Sequence, residues 1–493
     1  MILKGRKKIT SELSSADLVD FNLLSNAINS AKLVHESNKY EIDYLMNYRN
    51  GIQPILQKSK VIRDEINNTL VINHAQMITR TIIGYFLGTP IQYIQSGGGD
   101  KMEIDMLNEF VAYEDKASVD KEIGEYQSIC GTAYRIIYTD GMYADEVPFE
   151  DKSLNPATTF VVYENDIAEK PLFGITYYNV LDPTLSYTQN VRMYVYTDFG
   201  RYTIDTKNAS GYITAESTYS FESYYVGGVP IIEYPNNLWR IGDWELCIGL
   251  MDALNNLDSG RLDDIDQIVQ SLLVFINADI DAETYDEMRE KGIVLLKNTT
   301  GNKTEVQTIV NSLDQAGMNL FAKELETMLY AIIGIPDRAN RAGGGGDTGQ
   351  AVELRDGWAD LEIVARNKEL VFKKSEKQTL RIILTILSNT LGSKLTLKDV
   401  DIKFSRNKNN NLLVKSQAYA MLLGTQTLSP DDCLTIVDLV SDVKEYIDRG
   451  KQFWGDGFAP IKVGNVDPTV PSITDPKVPL LDMTKQMVDK TKK

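Results

Sequence analysis

The sequence predicts an α+β protein that is mainly helical. Long stretches on both sides of the middle of the chain repeat apolar residues at helical spacing, whereas residues 131–235 alternate short β-branched and aromatic runs with turn residues. A single tract of four glycines, residues 343–346, separates two of the helical stretches. The 493 residues are 43% hydrophobic and 24% charged, which is typical of a globular chain with two to four domains.

The N-terminal part predicts three helical stretches. Residues 17–59 place apolar side chains such as Leu18, Leu24 and Ile28 on one helix face. Residues 69–87 form a second helical pattern, which Gly-Thr-Pro at residues 88–90 ends before an extended run. Residues 102–130 form the third. The strand-like runs that follow predict a mostly antiparallel sheet region, whose tyrosines fit half-buried sheet faces better than a base-stacking platform.

Residues 243–276 predict one long amphipathic helix. Leucine and isoleucine residues repeat along one face, and polar residues including Asp252, Asn255 and Asp263 occupy the other. At 1.5 Å per residue this helix is about 50 Å long, too long for one compact core, so we expect it to pack along sister helices. The acidic run at residues 263–266 fits a solvated helix face better than a metal site, because adjacent carboxylates on a helix point in different directions.

A small α/β module is predicted to follow. Residues 281–291 indicate a short helix, and residues 293–297 and 305–310 indicate strands. Residues 312–335 are helical again, so the order is a helix out, a small tip and a helix back. After the glycine tract, residues 351–391 predict another long helix and residues 400–404 an edge strand.

The C-terminal part predicts a helical hairpin and a tail. Residues 412–423 and 429–451 are helical, and Ser429, Pro430 and two aspartates form a strong helix start. Five prolines and a lysine-rich end, from residue 460 onward, predict a disordered tail.

The glycine tract resembles a phosphate-binding loop only in part. Gly344 and Gly349 have the spacing of such a loop, but Gln350 and Ala351 stand where a lysine and a hydroxyl residue are needed, and a helix precedes the tract. Nucleotide binding is therefore disfavoured. A flexible loop whose bare backbone approaches a large partner is the better interpretation.

Composition disfavours several functions. A net charge of −18 argues against a conventional DNA-binding protein, although not against one that encloses DNA and lets it slide. The two histidines and three cysteines are far apart, so we expect structural histidines, buried free thiols in a reducing compartment and no catalytic, metal or cofactor site. No apolar run is long enough to span a membrane, and the basic N-terminus lacks a secretory pattern.

Six segments follow one another in an order that is informative, although no single one of them is specific. They are residues 44–51 with 53–55, Asn73 with 82–91, and residues 131–134, 230–237, 242–245 and 250–255. Together they resemble the portal proteins of tailed bacteriophages, in particular the family of long-tailed phages of Gram-positive hosts. The resemblance covers about residues 40 to 450.

The resemblance implies a non-catalytic ring, a dodecamer in the virion, around a channel for double-stranded DNA. It assigns residues 1–242 and 357–404 to a wing, 243–276 and 312–336 to two stem helices, 277–311 to a clip, 337–356 to a tunnel loop, 405–460 to a crown and 461–493 to a disordered tail. It also implies assembly in the host cytoplasm and a final location at the portal vertex of the capsid. Expected partners, besides other copies and DNA, are the terminase large subunit, a head completion or adaptor protein, and the major capsid and scaffolding proteins.

The same resemblance places the candidate site residues. The channel loop would carry Arg338, Arg341, Gly343, Gly344, Gly345, Gly346, Asp347 and Arg355. Its arginines would either contact the DNA backbone without sequence preference or pair with stem carboxylates, and both alternatives stay open. The clip would dock the packaging and head completion proteins through Glu283, Asp286, Glu290, Lys297 and Lys303.

Two other functions compete with this one. A non-catalytic cytoplasmic scaffold or adaptor would use the glycine tract as a plain linker, but it does not explain two matched helices that flank a small tip. A nucleotide-driven enzyme lacks the residues to carry its chemistry.

Overall fold

A computed structural model describes the protein at residues 3–61, 64–96, 100–139, 147–181, 187–269, 272–276, 305–309, 315–337, 358–406, 412–425, 428–437 and 443–454. The chain divides into two compact units, residues 1–406 and residues 407–493. The first unit combines helices with sheets and the described part of the second is helical, so the predicted α+β class is confirmed.

Seven helices are described in the first unit and three in the second. Those of the first are α1 (Phe21–Arg49), α2 (His74–Phe86), α3 (Lys101–Tyr113), α4 (Lys116–Cys130), α5 (Ile248–Val269), α6 (Gln315–Ile333) and α7 (Trp358–Leu391). Those of the second are α8 (Leu412–Gly424), α9 (Pro430–Val437) and α10 (Val443–Trp454).

Local signals explain where the N-terminal helices differ from their predicted bounds. Asp20 caps α1, and its carboxylate accepts a 2.9 Å hydrogen bond from the backbone N–H of Asn22. The predicted helix over residues 17–59 is therefore shorter, with single 3₁₀ turns at Ser15–Val19 and Pro54–Gln57 on either side. The predicted stretch over 102–130 is two helices, because Asp115 adopts a left-handed φ of 51° between them.

Thirteen strands are described. They are β1 (Ile9–Ser11), β2 (Gln92–Gln95), β3 (Thr132–Tyr138), β4 (Glu150–Leu154), β5 (Thr159–Glu164), β6 (Pro171–Leu181), β7 (Tyr187–Tyr196), β8 (Gly200–Thr206), β9 (Thr218–Ser223), β10 (Ile231–Pro235), β11 (Leu272–Ile276), β12 (Glu305–Ile309) and β13 (Val400–Lys403).

The strands form one large sheet and three small ones. The six-stranded sheet has the order β1-β5-β6-β7-β8-β9, and only the β1–β5 pair is parallel, which confirms the mostly antiparallel prediction. The three-stranded sheet has the order β10-β3-β4, and β13 pairs with β2. Strands β1, β4, β9 and β10 were not predicted. The sequences of β1, β4 and β9 lack a long run of apolar or β-branched residues, whereas β10 contains the short run Ile231-Ile232.

Two hydrophobic clusters organise the first unit. One packs α1 onto the six-stranded sheet, with Leu24 and Ile28 against strand residues such as Phe173 and Val195. The other gathers α2, α4, α5, α6 and α7 around Trp244, Phe86 and Phe372. The second cluster therefore holds together the helices that the sequence places on both sides of the glycine tract.

The prediction of one continuous helix over residues 243–276 is wrong at its C-terminal end. Residues 272–276 are strand β11, which pairs antiparallel with β12. Five consecutive apolar residues, Leu-Leu-Val-Phe-Ile, have the pattern of a strand and not of an amphipathic helix. The prediction for 305–310 as a strand is confirmed over Glu305–Ile309, whereas residues 277–304, with the other predicted elements of the small module, lie outside the described residues.

The second unit shows the predicted helix start. The hydroxyl oxygen of Ser429 accepts a 3.1 Å hydrogen bond from the backbone N–H of Asp432 and donates to its carboxylate at 2.6 Å. The stretch predicted as one helix over 429–451 is described as α9 and α10. Within the described part of the chain, no helix is long and apolar enough to cross a membrane.

Candidate functional site

The structure pairs the helices that precede and follow the small module. Helices α5 and α6, called here the helix pair, pack against each other through apolar residues that include Met251, Leu254 and Leu329. In the chain, β11 follows α5 and β12 precedes α6, and these two strands pair antiparallel. The predicted order of helix out and helix back is thus present in the described residues.

The start of α5 is anchored in the core. Trp244 is fully buried, donates its indole N–H to Thr79 at 3.0 Å and stacks on Tyr48. The carboxylate of Glu245 binds the buried guanidinium of Arg6 and accepts a 2.9 Å hydrogen bond from the backbone N–H of Gly242. This anchor consists largely of residues 242–245, one of the segments that carry the family resemblance.

A polar ladder attaches α5 to an extended segment of the N-terminal region. The backbone N–H groups of Ile72, Leu70 and Asn68 donate to the side chains of Asn255, Ser259 and Asp263, at 2.8, 2.9 and 2.6 Å. Two residues of extended chain span about 6.6 Å and one helical turn of four residues about 6 Å, so the two spacings match. The three acceptors lie four residues apart on α5 and are therefore in register with the three N–H groups.

The expected solvated acidic face is therefore wrong at Asp263. This residue is only 1% exposed, and its carboxylate pairs with Lys58 at 2.7 Å and Lys60 at 2.6 Å. Burial acts to raise the pKa of Asp263, but the hydrogen bonds from the two lysines and from Asn68 outweigh it and hold the pKa well below its ordinary value. Asp263 thus fastens the N-terminal segment to α5.

The end of α6 and the beginning of α7 lie side by side. Gly334 ends α6 with a left-handed φ of 76°, and its N–H donates to the carbonyl of Tyr330 at 2.9 Å. A Cβ at Gly334 would lie 3.0 Å from Val364 Cγ2 and 3.7 Å from Asp360, in the first turns of α7. We call this junction the loop foot. Both ends of the segment from 338 to 357 are therefore held close together.

Two buried polar groups fix α7 to the rest of the first unit. The Lys368 ammonium donates to both carboxylate oxygens of Asp243, each at 2.8 Å, and also to Asn236. Further along, Glu376 is completely buried and accepts hydrogen bonds from the hydroxyls of Tyr93 at 2.6 Å and Tyr234 at 2.7 Å.

Cations surround the Glu376 carboxylate. Lys116 lies 2.9 Å from it and Arg135 3.2 Å, and both also bind Asp120. Burial acts to raise the pKa of Glu376, but these cations and the Tyr93 hydroxyl lower it below its ordinary value. Sequence reasoning missed Asp243, Lys368 and Glu376 as anchors. For Lys368 and Glu376 the only signal was a charged residue among the apolar residues of one helix face, and Asp243, which precedes α5, gave none.

The helix pair leaves apolar side chains exposed in the single chain. Leu320 is 71% exposed and Ile332 64%, so the outward face of α6 carries large apolar side chains beside the exposed polar residues Lys323, Glu324 and Thr327. Exposed patches of this kind are typical of surfaces that contact another macromolecule. The exposed apolar residues of the pair are Leu262, Ile265, Leu320, Phe321, Met328 and Ile332.

The residues predicted for the channel loop and for the clip lie outside the described residues. These are Arg338, Arg341, Gly343, Gly344, Gly345, Gly346, Asp347 and Arg355 of the loop, and Glu283, Asp286, Glu290, Lys297 and Lys303 of the clip. The structure describes the helices and strands that flank both segments.

The histidines and cysteines sit in packed surroundings. His35 stacks on Phe160 and contacts the carbonyl oxygen of Ala157 at 3.2 Å, and burial lowers the pKa of His35 to about 4. Burial raises the pKa of the Cys130 and Cys247 thiols, which makes them poor nucleophiles. No three His, Cys, Asp or Glu side chains are grouped to hold a metal ion in the parts of the chain that the structure describes.

The fold is that of an α+β protein in which a pair of helices flanks a small two-stranded element and exposes large apolar side chains. The family model described as "Phage portal protein, SPP1 Gp6-like" matches residues 31–452, and the chain belongs to this family of phage portal proteins. The chain is also similar to the portal protein of Bacillus phage SPP1, with 23% identity over 382 residues that cover 74% of this chain and 72% of that protein. The portal function inferred from the resemblance is thereby confirmed, and with it a role in the phage capsid and in DNA packaging.

Proposed function

We propose that this portal protein assembles into a closed ring, with twelve subunits in the virion, around a channel for double-stranded DNA. The exposed apolar face of the helix pair is the observation that carries the proposal. Helices α5 and α6 serve as stem helices, and each buries its outward apolar residues on a neighbouring copy. A head-to-tail contact repeated by rotation closes into a ring.

The mass in solution tests this assembly. The purified chain is expected to sediment as a large oligomer and to show rings by negative-stain microscopy. The double variant Leu320→Asp/Ile332→Asp is expected to shift the protein to smaller species, while Leu56→Asp/Val61→Asp, at exposed apolar residues of another segment, leaves the rings intact. A chain that stays monomeric or dimeric at all concentrations contradicts the ring and favours the alternative, a protein-binding scaffold or adaptor.

Residues 337–356 are proposed as the tunnel loop that touches DNA. Its ends are joined at the loop foot, which suits a loop that projects from a fixed base. Arg338, Arg341 and Arg355 would supply weak contacts to phosphates, and the four glycines and Asp347 a flexible tip. Acidic residues on the channel side would repel phosphates and keep DNA from adhering along the rest of the channel.

Residues 277–311 are proposed as the clip. Strands β11 and β12 form its base, and Glu283, Asp286, Glu290, Lys297 and Lys303 form the docking surface beyond them. The partners would be the terminase large subunit during packaging and a head completion or adaptor protein afterwards, with capsid and scaffolding proteins around the wing. Charge reversal at these five residues is expected to abolish copurification of the terminase large subunit without dissociating the rings.

A further inference from the structure

In and just after the C-terminal part of α7, acidic and basic side chains differ in their burial. Between residues 370 and 398 the sequence contains one carboxylate, Glu376, and that carboxylate is completely buried. In a chain with a net charge of −18, the exposed charges of this segment are therefore all positive. Its basic residues are Lys373, Lys374, Lys377, Arg381, Lys394 and Lys398.

Three of these cations form a row on the exposed face of the helix. Lys374, Lys377 and Arg381 are exposed and follow one another at spacings of three and four residues, so they lie on one face over about 10 Å. None of the three has an ion-pair partner among the residues that the structure describes. We call them the α7 basic row.

Two carboxylates that interact electrostatically with the row are already paired with other cations. Asp401 of β13 pairs with Lys373 at 2.8 Å, and Glu169, which feels the charge of Lys374, pairs with Lys8 at 2.5 Å. The row therefore keeps a surplus of positive charge. Such a surplus is available to an anionic partner.

The surroundings of the row are mainly polar. Leu370, one helical turn before Lys374, is 72% exposed, but from residue 371 to residue 390 the described helix exposes no large hydrophobic side chain. Protein interfaces centre on buried aromatic and apolar residues, whereas protein–DNA interfaces are polar and strongly positive. We propose that Lys374, Lys377 and Arg381 bind the phosphate backbone of double-stranded DNA without reading its sequence, at a site separate from the segment 338–357. The choice of DNA as the anion rests on the proposed function.

Salt-dependent DNA binding tests the site. A fluorescein-labelled 30-base-pair duplex is titrated with the full-length oligomer, with anisotropy as the readout, between 50 and 200 mM KCl. Each phosphate contact contributes about 0.9 to the slope of log K against log salt, so Lys374→Gln/Lys377→Gln/Arg381→Gln is expected to reduce the slope by about 2.7 and the affinity at 50 mM at least tenfold. The charge-preserving variant Lys374→Arg/Lys377→Arg/Arg381→Lys is expected to bind like the unchanged protein.

A matched control separates a local site from a loss of total charge. Lys4→Gln/Lys121→Gln/Lys207→Gln removes three exposed lysines elsewhere in the first unit and is expected to keep the slope. Equal slopes for the two triple variants overturn the proposal. So does dissociation of the oligomer by the α7 variant with unchanged DNA affinity, which assigns the row to a contact between copies. Absence of rings in the unchanged protein bears on the proposed function alone, because DNA binding is measured at any oligomeric state.

Discussion

The carboxylate of Asp263 accepts a 2.6 Å hydrogen bond from the backbone N–H of Asn68, 195 positions away in the sequence. This bond is the last rung of the ladder that Ile72, Leu70 and Asn68 form with α5. The ladder converts the polar face of a long amphipathic helix into an internal attachment for an extended segment. One face of α5 is thereby occupied within the subunit, which leaves the apolar residues Leu262 and Ile265 for contacts outside it.

Removal of a ladder acceptor is expected to destabilise the protein. Asn255→Ala leaves the backbone N–H of Ile72 and the amide of Gln53 without their partner in a buried place, which costs about 1–3 kcal/mol of the free energy of unfolding. Chemical denaturation measures the loss. Asn256→Ala, at the exposed neighbour, is the control and is expected to change the midpoint little. Equal midpoints for the two variants would show that the ladder contributes nothing.

The contribution of Asp263 is expected to depend on pH. Its folded-state pKa lies below the value of about 3.9 in an unfolded chain, so the stabilisation is complete above that value and declines as the pH falls toward the folded pKa. The stability difference between the unchanged protein and Asp263→Asn is therefore expected to be constant from pH 7 to about 5 and to shrink below about 4. Thermal unfolding across this range measures it. A difference that grows on acidification would contradict the assignment.

Loss of the Lys368 ammonium is expected to cost far more than loss of a surface cation. Lys368→Met leaves the buried Asp243 carboxylate without its counter-ion, which costs about 3–5 kcal/mol. Arg366→Met, two residues away, removes a largely exposed partner of Glu362 and is expected to cost less than about 1 kcal/mol. Urea titration of both variants checks the contrast, and similar costs would mean that the Lys368 pair does not anchor α7.

The loop foot is expected to require glycine at position 334 for two separate reasons. Gly334 and Gly392 both have a left-handed φ, 76° and 69°, but only Gly334 faces a side chain, Val364. Gly392→Ala thus measures backbone strain alone, about 1–2 kcal/mol, while Gly334→Ala adds the displacement of α7. Thermal unfolding is expected to rank Gly334→Ala as the less stable variant. The reverse order would show that the contact between position 334 and Val364 does not affect the stability of the protein.

Helices and strands were predicted correctly where the periodicity of apolar residues directly indicates which side chains are buried. The apolar repeats gave α2, α5, α6 and α7, and the β-branched runs gave strands β3 and β5 to β8. It failed where the partner is distant in sequence. Asp263 has the pattern of a solvated residue because Lys58, Lys60 and Asn68, about 200 positions earlier, are what bury it. Lys368 and Glu376 were missed for the same reason. Leu272–Ile276 was assigned to the helix although its five consecutive apolar residues have the local pattern of a strand.

Deletion of the four glycines Gly343 to Gly346 is expected to separate assembly from DNA handling. The ends of the segment are held at the loop foot, which the deletion leaves in place, so rings are expected to form with unchanged mass. A shortened loop reaches less far from that base, so packaging or retention of DNA is expected to fall. Negative-stain microscopy gives the first readout, and nuclease-protected DNA in assembled particles the second.

Replacement of the tract by four serines, which preserves its length and much of its flexibility, is the matched control and is expected to retain packaging. If the deletion abolishes rings instead, the segment is structural; if packaging is unchanged, the glycine tract is no part of the contact with DNA.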